Sequence, residues 1–178
     1  MRLAGQKVIE PKPPTPPVPS EPDKYPLPAE SKRLNLADGE YHIIHQATGV
    51  TLESSLSSYV AQGWQAHGEE QQYPRWEQKN KRFIVTVKGK ERALDAVAKK
   101  NGTQATWYTE PHSGELEQWF LELIGYTSKG LPIVRIINVW TGRSLYLEGG
   151  KAANGTRVLC GSPASTPYEY WILEKVVK

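Results

Sequence analysis

Cysteine and long apolar runs are what this 178-residue chain most clearly lacks. Cys160 is its only cysteine, so no disulfide can form within the chain. No segment approaches the roughly 18 consecutive apolar residues of a membrane span, and Met1 to Lys7 contains no apolar leader region. We therefore expect a cytoplasmic protein without membrane insertion, and a secreted one only if a leader has been removed.

Charge of one sign is also scarce. The formal net charge is +3, and the 22 Lys and Arg residues are interspersed with 19 Asp and Glu residues. A nucleic-acid-binding face needs clustered positive charge. Because no such cluster occurs in the sequence, we predict no nucleic-acid partner.

The residue patterns of an enzyme or a metal site are missing as well. His42 and His45 are three apart in a β-rich segment, so their side chains point to opposite faces. No local signature marks Cys160 as a nucleophile, and its ordinary role is that of a small buried side chain. We predict a non-catalytic protein with no catalytic residue, no metal and no cofactor.

Proline is abundant, but at one end of the chain. Nine of the fourteen prolines lie between Pro11 and Pro28, where they disfavour helices and central strands. Residues 1–33 therefore form a proline-rich arm of extended polyproline II character. The arm is a spacer, a segment that docks on its own domain or on a neighbour, or a ligand for a proline-binding module. We expect it to be dispensable for folding and to matter for assembly.

Short β-branched and aromatic runs begin after the arm. Examples are Tyr41–Ile44, Arg82–Val87 and Ile133–Ile137, each bounded by Gly, Pro, Asn or Lys. Hairpin-type dipeptides, such as Asn101-Gly102 and Asn154-Gly155, separate them. The pattern predicts an all-β domain over residues 34–178.

The pattern occurs three times, over about residues 36–79, 80–125 and 130–178. Each copy contains a Leu followed after 24 or 25 residues by a Trp, and these tryptophans are Trp76, Trp119 and Trp171. A Trp at the same place in every copy indicates a packing layer in the core. Three copies of four short strands predict a closed three-fold barrel with a hairpin cap, since closure pairs the strand edges that one copy leaves open.

These repeats resemble the ricin-B-type β-trefoil lectins, especially the small single-domain lectins of mushrooms. The resemblance covers about residues 36–178, and the family marker is Gln-x-Trp near the end of each repeat. This sequence departs from the marker, because the three sites read Pro74-x-Trp76, Glu117-x-Trp119 and Glu169-x-Trp171. The resemblance implies a β-trefoil fold and carbohydrate binding.

The family binds sugar with a carboxylate, an aromatic residue and an Asn in each repeat. By resemblance, the carboxylates are Glu53, Asp95 and Glu148. The aromatic positions hold Trp64, Trp107 and Leu159. The Asn positions hold Tyr73, Leu116 and Tyr168, so the Asn is missing throughout. An exposed aromatic ring packs on the apolar face of a sugar, and a carboxylate accepts hydrogen bonds from its hydroxyls.

Two repeats retain enough of this set to predict sugar binding. The predicted carbohydrate-binding residues are Glu53, Trp64, His67 and Gln72 in repeat one and Asp95, Trp107 and Tyr108 in repeat two. Repeat three, with Leu159, is predicted to be inactive. The structural alternative is that Trp64 and Trp107 only cover the side of the barrel.

We therefore predict a lectin whose partners are glycans, of the galactose/GalNAc or the mannose type. The arm would contact a second copy of the chain or another protein. The alternative is a lectin-like β-trefoil that has lost sugar binding and acts as a protein-interaction or assembly subunit, or as a protease inhibitor.

Overall fold

The computed structural model describes residues 11–14, 21–111, 114–164 and 167–177. The rest of the proline-rich arm, residues 1–10 and 15–20, lies outside the described residues. In the described part of the chain there is no α-helix, only strands and single 3-10 turns. None of these described segments is a helix with the length and apolar character needed to cross a membrane.

Thirteen strands occur in the described ranges. They are β1 Gly39–His45, β2 Thr51–Ser54, β3 Ala61–Trp64, β4 Arg75–Glu77, β5 Arg82–Val87, β6 Lys90–Asp95, β7 Thr103–Gln104, β8 Thr106–Tyr108, β9 Trp119–Tyr126, β10 Pro132–Asn138, β11 Ser144–Leu147, β12 Thr156–Gly161 and β13 Trp171–Lys175. The 3-10 turns are Glu30–Lys32, Glu70–Gln72, Glu115–Glu117, Glu148–Gly150 and Pro167–Glu169. Repeat one contains β1–β4, repeat two β5–β9 and repeat three β10–β13, with β7 and β8 in the place of a single strand.

Six strands form a closed barrel. The antiparallel pairs are β1–β4, β4–β5, β9–β10, β10–β13 and β13–β1. The ring is completed where Trp119 N–H donates to Lys81 O at 2.7 Å, joining the start of β9 to the segment that leads into β5. The hairpins β2–β3, β6–β8 and β11–β12 form the cap. The predicted all-β trefoil of three repeats is therefore confirmed.

The strand register shows which residues are equivalent in the three repeats. The pairs that join the first two strands of each repeat are Ile44–Thr51, Ile84–Ala93 and Ile137–Ser144. The next residue is then Leu52 in repeat one, Leu94 in repeat two and Leu145 in repeat three. The alignment of repeat three on Leu147, and of the carboxylate position on Glu148, is wrong by two residues.

The three motif tryptophans lie in the core, where their repetition predicts them. Trp76, Trp119 and Trp171 are buried in one hydrophobic cluster. The indole N–H of Trp119 donates to Leu94 O, and that of Trp171 donates to Leu145 O, each at 3.0 Å. These two bonds satisfy the polar ends of the Trp119 and Trp171 rings and link the last strand of each of these repeats to its second strand, whereas Trp76 donates to the Gln78 side chain.

Part of the arm packs on the barrel. Tyr25 N–H donates to Thr141 O at 3.0 Å, and Leu34 N–H donates to Leu121 O at 2.7 Å. The guanidinium of Arg33 lies 3.8 Å from the centroid of the Phe120 ring. Residues 21–33 therefore dock on their own domain, so we no longer expect this part of the arm to be dispensable for folding.

His45 gives a test of stability against pH. Its ring is buried, with Nδ1 2.8 Å from Thr48 Oγ1 and Nε2 3.0 Å from Tyr168 O. Burial lowers the pKa of His45 below its usual 6.5, although the Tyr168 carbonyl acts in the opposite direction. The unfolded chain therefore takes up a proton before the folded chain does, and stability falls as pH falls below about 6.5, by up to about 1.4 kcal/mol per pH unit.

Urea denaturation at pH 7.5 and at successively lower pH measures this loss. His45→Asn is the matched control, because Asn138 occupies the equivalent position in repeat three, with its N–H donating to Arg143 O as His45 N–H donates to Val50 O. The variant should have a flatter profile below pH 6.5. An equal slope in the parent and the variant would show that His45 is not the group responsible.

Candidate functional site

A cleft of about 890 Å³ opens on the outer side of repeat one. Its walls are the β2–β3 hairpin, the segment that runs from Trp64 to Gln71, and Lys88 from the turn between β5 and β6. The lining includes Glu53, Gln62, Trp64, His67, Gln71 and Lys88. The cleft therefore combines a half-buried indole with several hydrogen-bonding groups.

Glu53 lies at the base of this cleft with 3% of its surface exposed. Its Oε1 accepts hydrogen bonds from Gln72 Nε2 at 2.8 Å and from His67 Nε2 at 3.1 Å. Its Oε2 accepts one from Gln62 Nε2 at 3.1 Å. These donors compensate for removing the carboxylate from water and fix its orientation.

The loop beside Glu53 is held by His67 and Gln72. Glu69 N–H donates to His67 Nδ1 at 3.1 Å, so the ring proton is on Nε2 and is donated to Glu53. The Gln72 amide accepts from His67 N–H at 3.0 Å and donates to Gln65 O at 2.8 Å. Four predicted residues of repeat one, Glu53, Trp64, His67 and Gln72, thus meet at one cleft, although Gln72 itself is fully buried beneath it.

Gln72 also occupies the position of the motif Gln. In each repeat a 3-10 turn ends at a buried polar residue, and these are Gln72, Glu117 and Glu169. Glu117 and Glu169 lie two residues before the motif Trp, whereas Gln72 lies four before Trp76. Repeat one therefore carries two extra residues, and the alignment of its motif on Pro74 is wrong.

The aromatic position of repeat two is occupied by Tyr108, not by Trp107. In β2–β3 Thr51 pairs with Trp64, and in β6–β8 the equivalent Ala93 pairs with Tyr108. Trp107 is 0% exposed, and its indole N–H donates to Glu53 O at 3.0 Å. The prediction that Trp107 binds sugar is wrong, because a buried ring offers no face to a ligand.

Asp95 and Tyr108 lie on one face of the β6–β8 hairpin. Asp95 pairs with Thr106, and Tyr108 follows two residues later, which repeats the arrangement of Glu53 and Trp64. Tyr108 is 44% exposed, and Asp95 Oδ1 accepts from Val97 N–H at 2.6 Å. Repeat two therefore places the buried Asp95 and the exposed Tyr108 ring on one face, with Tyr108 in the position that we gave to Trp107.

Repeat three has neither group at the equivalent positions. The register puts Tyr146 in the place of the carboxylate and Gly161 in the place of the aromatic residue. A Cβ on Gly161 would lie 2.8 Å from Cε1 of Tyr146, so the Tyr146 ring covers this surface. Glu148 starts a 3-10 turn and pairs with Arg157 instead.

Cys160 lies next to this surface but is fully buried. Burial raises the pKa of its thiol to about 12, so the thiolate needed for nucleophilic chemistry is not populated at neutral pH. Among the described residues, no group of three or more His, Cys, Asp or Glu side chains could hold a metal ion.

The closed barrel and its three equivalent hairpins define a β-trefoil fold. No protein-family model matches the chain. No curated protein matches it. Solved structures align with most of the chain, but their sequence identity to it is low. The alignments therefore establish the fold alone.

The designed three-fold symmetric protein ThreeFoil aligns with a TM-score of 0.66 and 19% identity, over 78% of this chain and 100% of that one. The Macrolepiota procera ricin B-like lectin, in complex with lactose, aligns with a TM-score of 0.62 and 16% identity, over 80% of this chain and 100% of that one. An exo-β-1,3-galactanase from Clostridium thermocellum aligns with a TM-score of 0.65 and 18% identity, over 78% of this chain. The matched region spans only 30% of that enzyme.

Proposed function

We propose that the protein is a non-catalytic, carbohydrate-binding lectin. The observation that carries the proposal is the cleft of repeat one, where the Trp64 ring lies beside a carboxylate oriented by three donors. Trp64 would pack on the C–H face of a sugar ring. Glu53 Oε2, with one hydrogen bond among the described residues, has acceptor capacity for a sugar hydroxyl.

The second site of the proposal is the surface formed by Asp95 and Tyr108. Its aromatic residue is a tyrosine, whose ring offers a smaller stacking face than the indole of Trp64. We therefore propose that repeat one binds glycans more tightly than repeat two.

A glycan array probed with the purified chain tests the proposal, followed by calorimetric titration with lactose and with the best array glycan. Trp64→Ala should weaken binding by about tenfold or more, since burying one aromatic side chain contributes about 1.5–3 kcal/mol and 1.4 kcal/mol is tenfold in affinity. Tyr108→Ala should remove only the weaker set of sites.

Trp140→Ala is the matched control. Trp140 is also partly exposed, but it lies on repeat three, with its ring centroid 4.5 Å from Lys99 Nζ. The control should bind like the parent chain. If Trp64→Ala bound glycans as well as Trp140→Ala, or if no glycan bound the parent, the lectin proposal would be wrong and a protein-binding trefoil would replace it.

A further inference from the structure

Arg143 is the most deeply buried cation described in the chain, with 0% exposure, and residues of the arm cover it. Its Nη1 donates to Asp23 O and its Nη2 donates to Pro22 O, both at 2.9 Å. Nη2 also lies 3.3 Å from the carboxylate of Glu21. The guanidinium thus binds two successive backbone carbonyls and one acidic side chain of the arm.

Asn101 completes the contact from the hairpin turn of repeat two. Its Oδ1 accepts from Arg143 Nε at 2.9 Å, and its Nδ2 donates to the Tyr25 hydroxyl at 2.7 Å. Its backbone N–H donates to Glu21 Oε1 at 2.9 Å. The side-chain amide and the backbone N–H of Asn101 are therefore hydrogen-bonded to Arg143 or to the arm.

Arg143, Asn101 and the turn around Gly142 line a groove that holds the arm. The turn forms the floor of this groove. Gly142 has φ +66°, and a Cβ there would lie 2.1 Å from Tyr25 O, so only glycine allows this approach. The equivalent turn of repeat one contains Gly49, whose Cβ would meet nothing within 4 Å. A cleft of about 430 Å³ lies beside Gly49 and is lined by no described residue of the arm, whereas the arm fills the equivalent place in repeat three.

In repeat two the equivalent arginine also binds backbone carbonyls, here of the loop between β2 and β3. Arg92, equivalent to Arg143 by register, donates from Nη1 to Ser55 O at 3.0 Å and to Ser58 O at 3.2 Å. Its guanidinium lies 4.8 Å from the centroid of the Tyr59 ring, as that of Arg143 lies 5.1 Å from Tyr25. Arg92 thus binds an internal loop of repeat one, whereas Arg143 binds the arm that precedes the barrel.

We propose that the groove of repeat three is a peptide-binding site, and that it takes the segment Glu21-Pro22-Asp23-Lys24-Tyr25 from a second copy of the chain as well as from its own. The partner is identified by the occupant that the groove already holds, and by the charge complementarity of Glu21 and Arg143. Residues 21–24 are themselves exposed, so a second copy of the segment can replace them without opening the core. Such exchange links copies through their arms.

Two complementary full-length variants test the exchange. Glu21→Ala with Tyr25→Ala disables the arm and leaves the groove open. Asn101→Ala disables the groove and leaves the arm intact. Each variant should sediment as a monomer alone, and an equimolar mixture should form a 1:1 complex. Arg143→Ala is the stronger disruption of the groove, and Asn101→Ala serves where that variant fails to fold.

A fluorescent peptide of residues 21–28 provides the second measurement. It should bind the arm-disabled variant at least tenfold more tightly than the parent chain, whose own arm competes at an effective concentration of about 1 mM. Adding Asn101→Ala to the arm-disabled variant should abolish peptide binding. A mixture that sediments as two monomers overturns arm exchange, and equal peptide binding with and without Asn101→Ala overturns the binding site.

Discussion

Replacing Trp107 with alanine should lower the free energy of unfolding by about 3–5 kcal/mol, the range for truncating a buried Trp. Trp107 is fully buried in the common core cluster, so the truncation leaves a cavity among packed side chains. It also leaves Glu53 O without the indole donor that links repeat two to repeat one. Urea denaturation followed by circular dichroism measures the loss.

Tyr108→Ala is the matched control, since Tyr108 is the next residue and 44% of it is exposed. It should lower stability by less than about 1 kcal/mol and should weaken glycan binding at repeat two. Trp107→Ala should therefore affect mainly folding stability, whereas Tyr108→Ala should affect mainly glycan binding. A stable Trp107→Ala protein that had lost glycan binding would restore Trp107 as the stacking residue.

Replacing Arg143 with alanine should cost about 3 kcal/mol or more of folding stability. Removing one partner of a buried ion pair commonly costs about 3–5 kcal/mol. We expect the lower end of that range, because the Glu21 side chain is partly exposed to solvent. The carbonyls of Pro22 and Asp23 also lose their donor, so the arm should detach. Thermal unfolding measures the first effect, and proteolysis near residue 25 measures the second.

Arg157→Ala is the control for the loss of a positive charge. Arg157 is exposed on β12 and pairs with Glu148 at the surface, where an ion pair contributes about 0–1 kcal/mol. Its removal should leave both the unfolding temperature and the arm unchanged. Equal stability of the two variants would show that the arm contributes nothing to the folded unit.

The fold is predictable from the sequence because the repeated elements are those that the barrel buries. Trp76, Trp119 and Trp171 recur because each fills an equivalent place in one core. The hairpin dipeptides recur because the cap needs a tight turn in each repeat. Three-fold repetition thus made the architecture visible in a single sequence.

The site is less predictable because small insertions shift the register between repeats. Counting twelve residues back from the motif Trp finds Trp64 correctly in repeat one, but in repeat two it finds Trp107. Repeat one has two extra residues after Gln72, and repeat two has one extra residue between Tyr108 and Glu117, so the net shift is one residue. In a strand, an error of one residue exchanges the buried face for the exposed face.

Repeat three shows the same difficulty with a different cause. Leu145 and Leu147 both fit the Leu position, and the strand pairing selects Leu145. The shared pattern of Arg92-Ala93-Leu94 and Arg143-Ser144-Leu145 was the signal that could have decided it. The burial of Arg143 had no such signal, because its partners in the arm lie about 120 residues earlier in the chain.

The close contact between Tyr146 and Gly161 limits the number of glycan sites that the proposed function allows. Any side chain added at position 161 would meet the Tyr146 ring at 2.8 Å, so a single substitution cannot graft an aromatic platform onto repeat three. Tyr146→Asp together with Gly161→Tyr would supply both groups that repeat two carries at these positions. Under the proposed function the chain therefore holds glycans in two directions, and it would gain a third only by a double substitution.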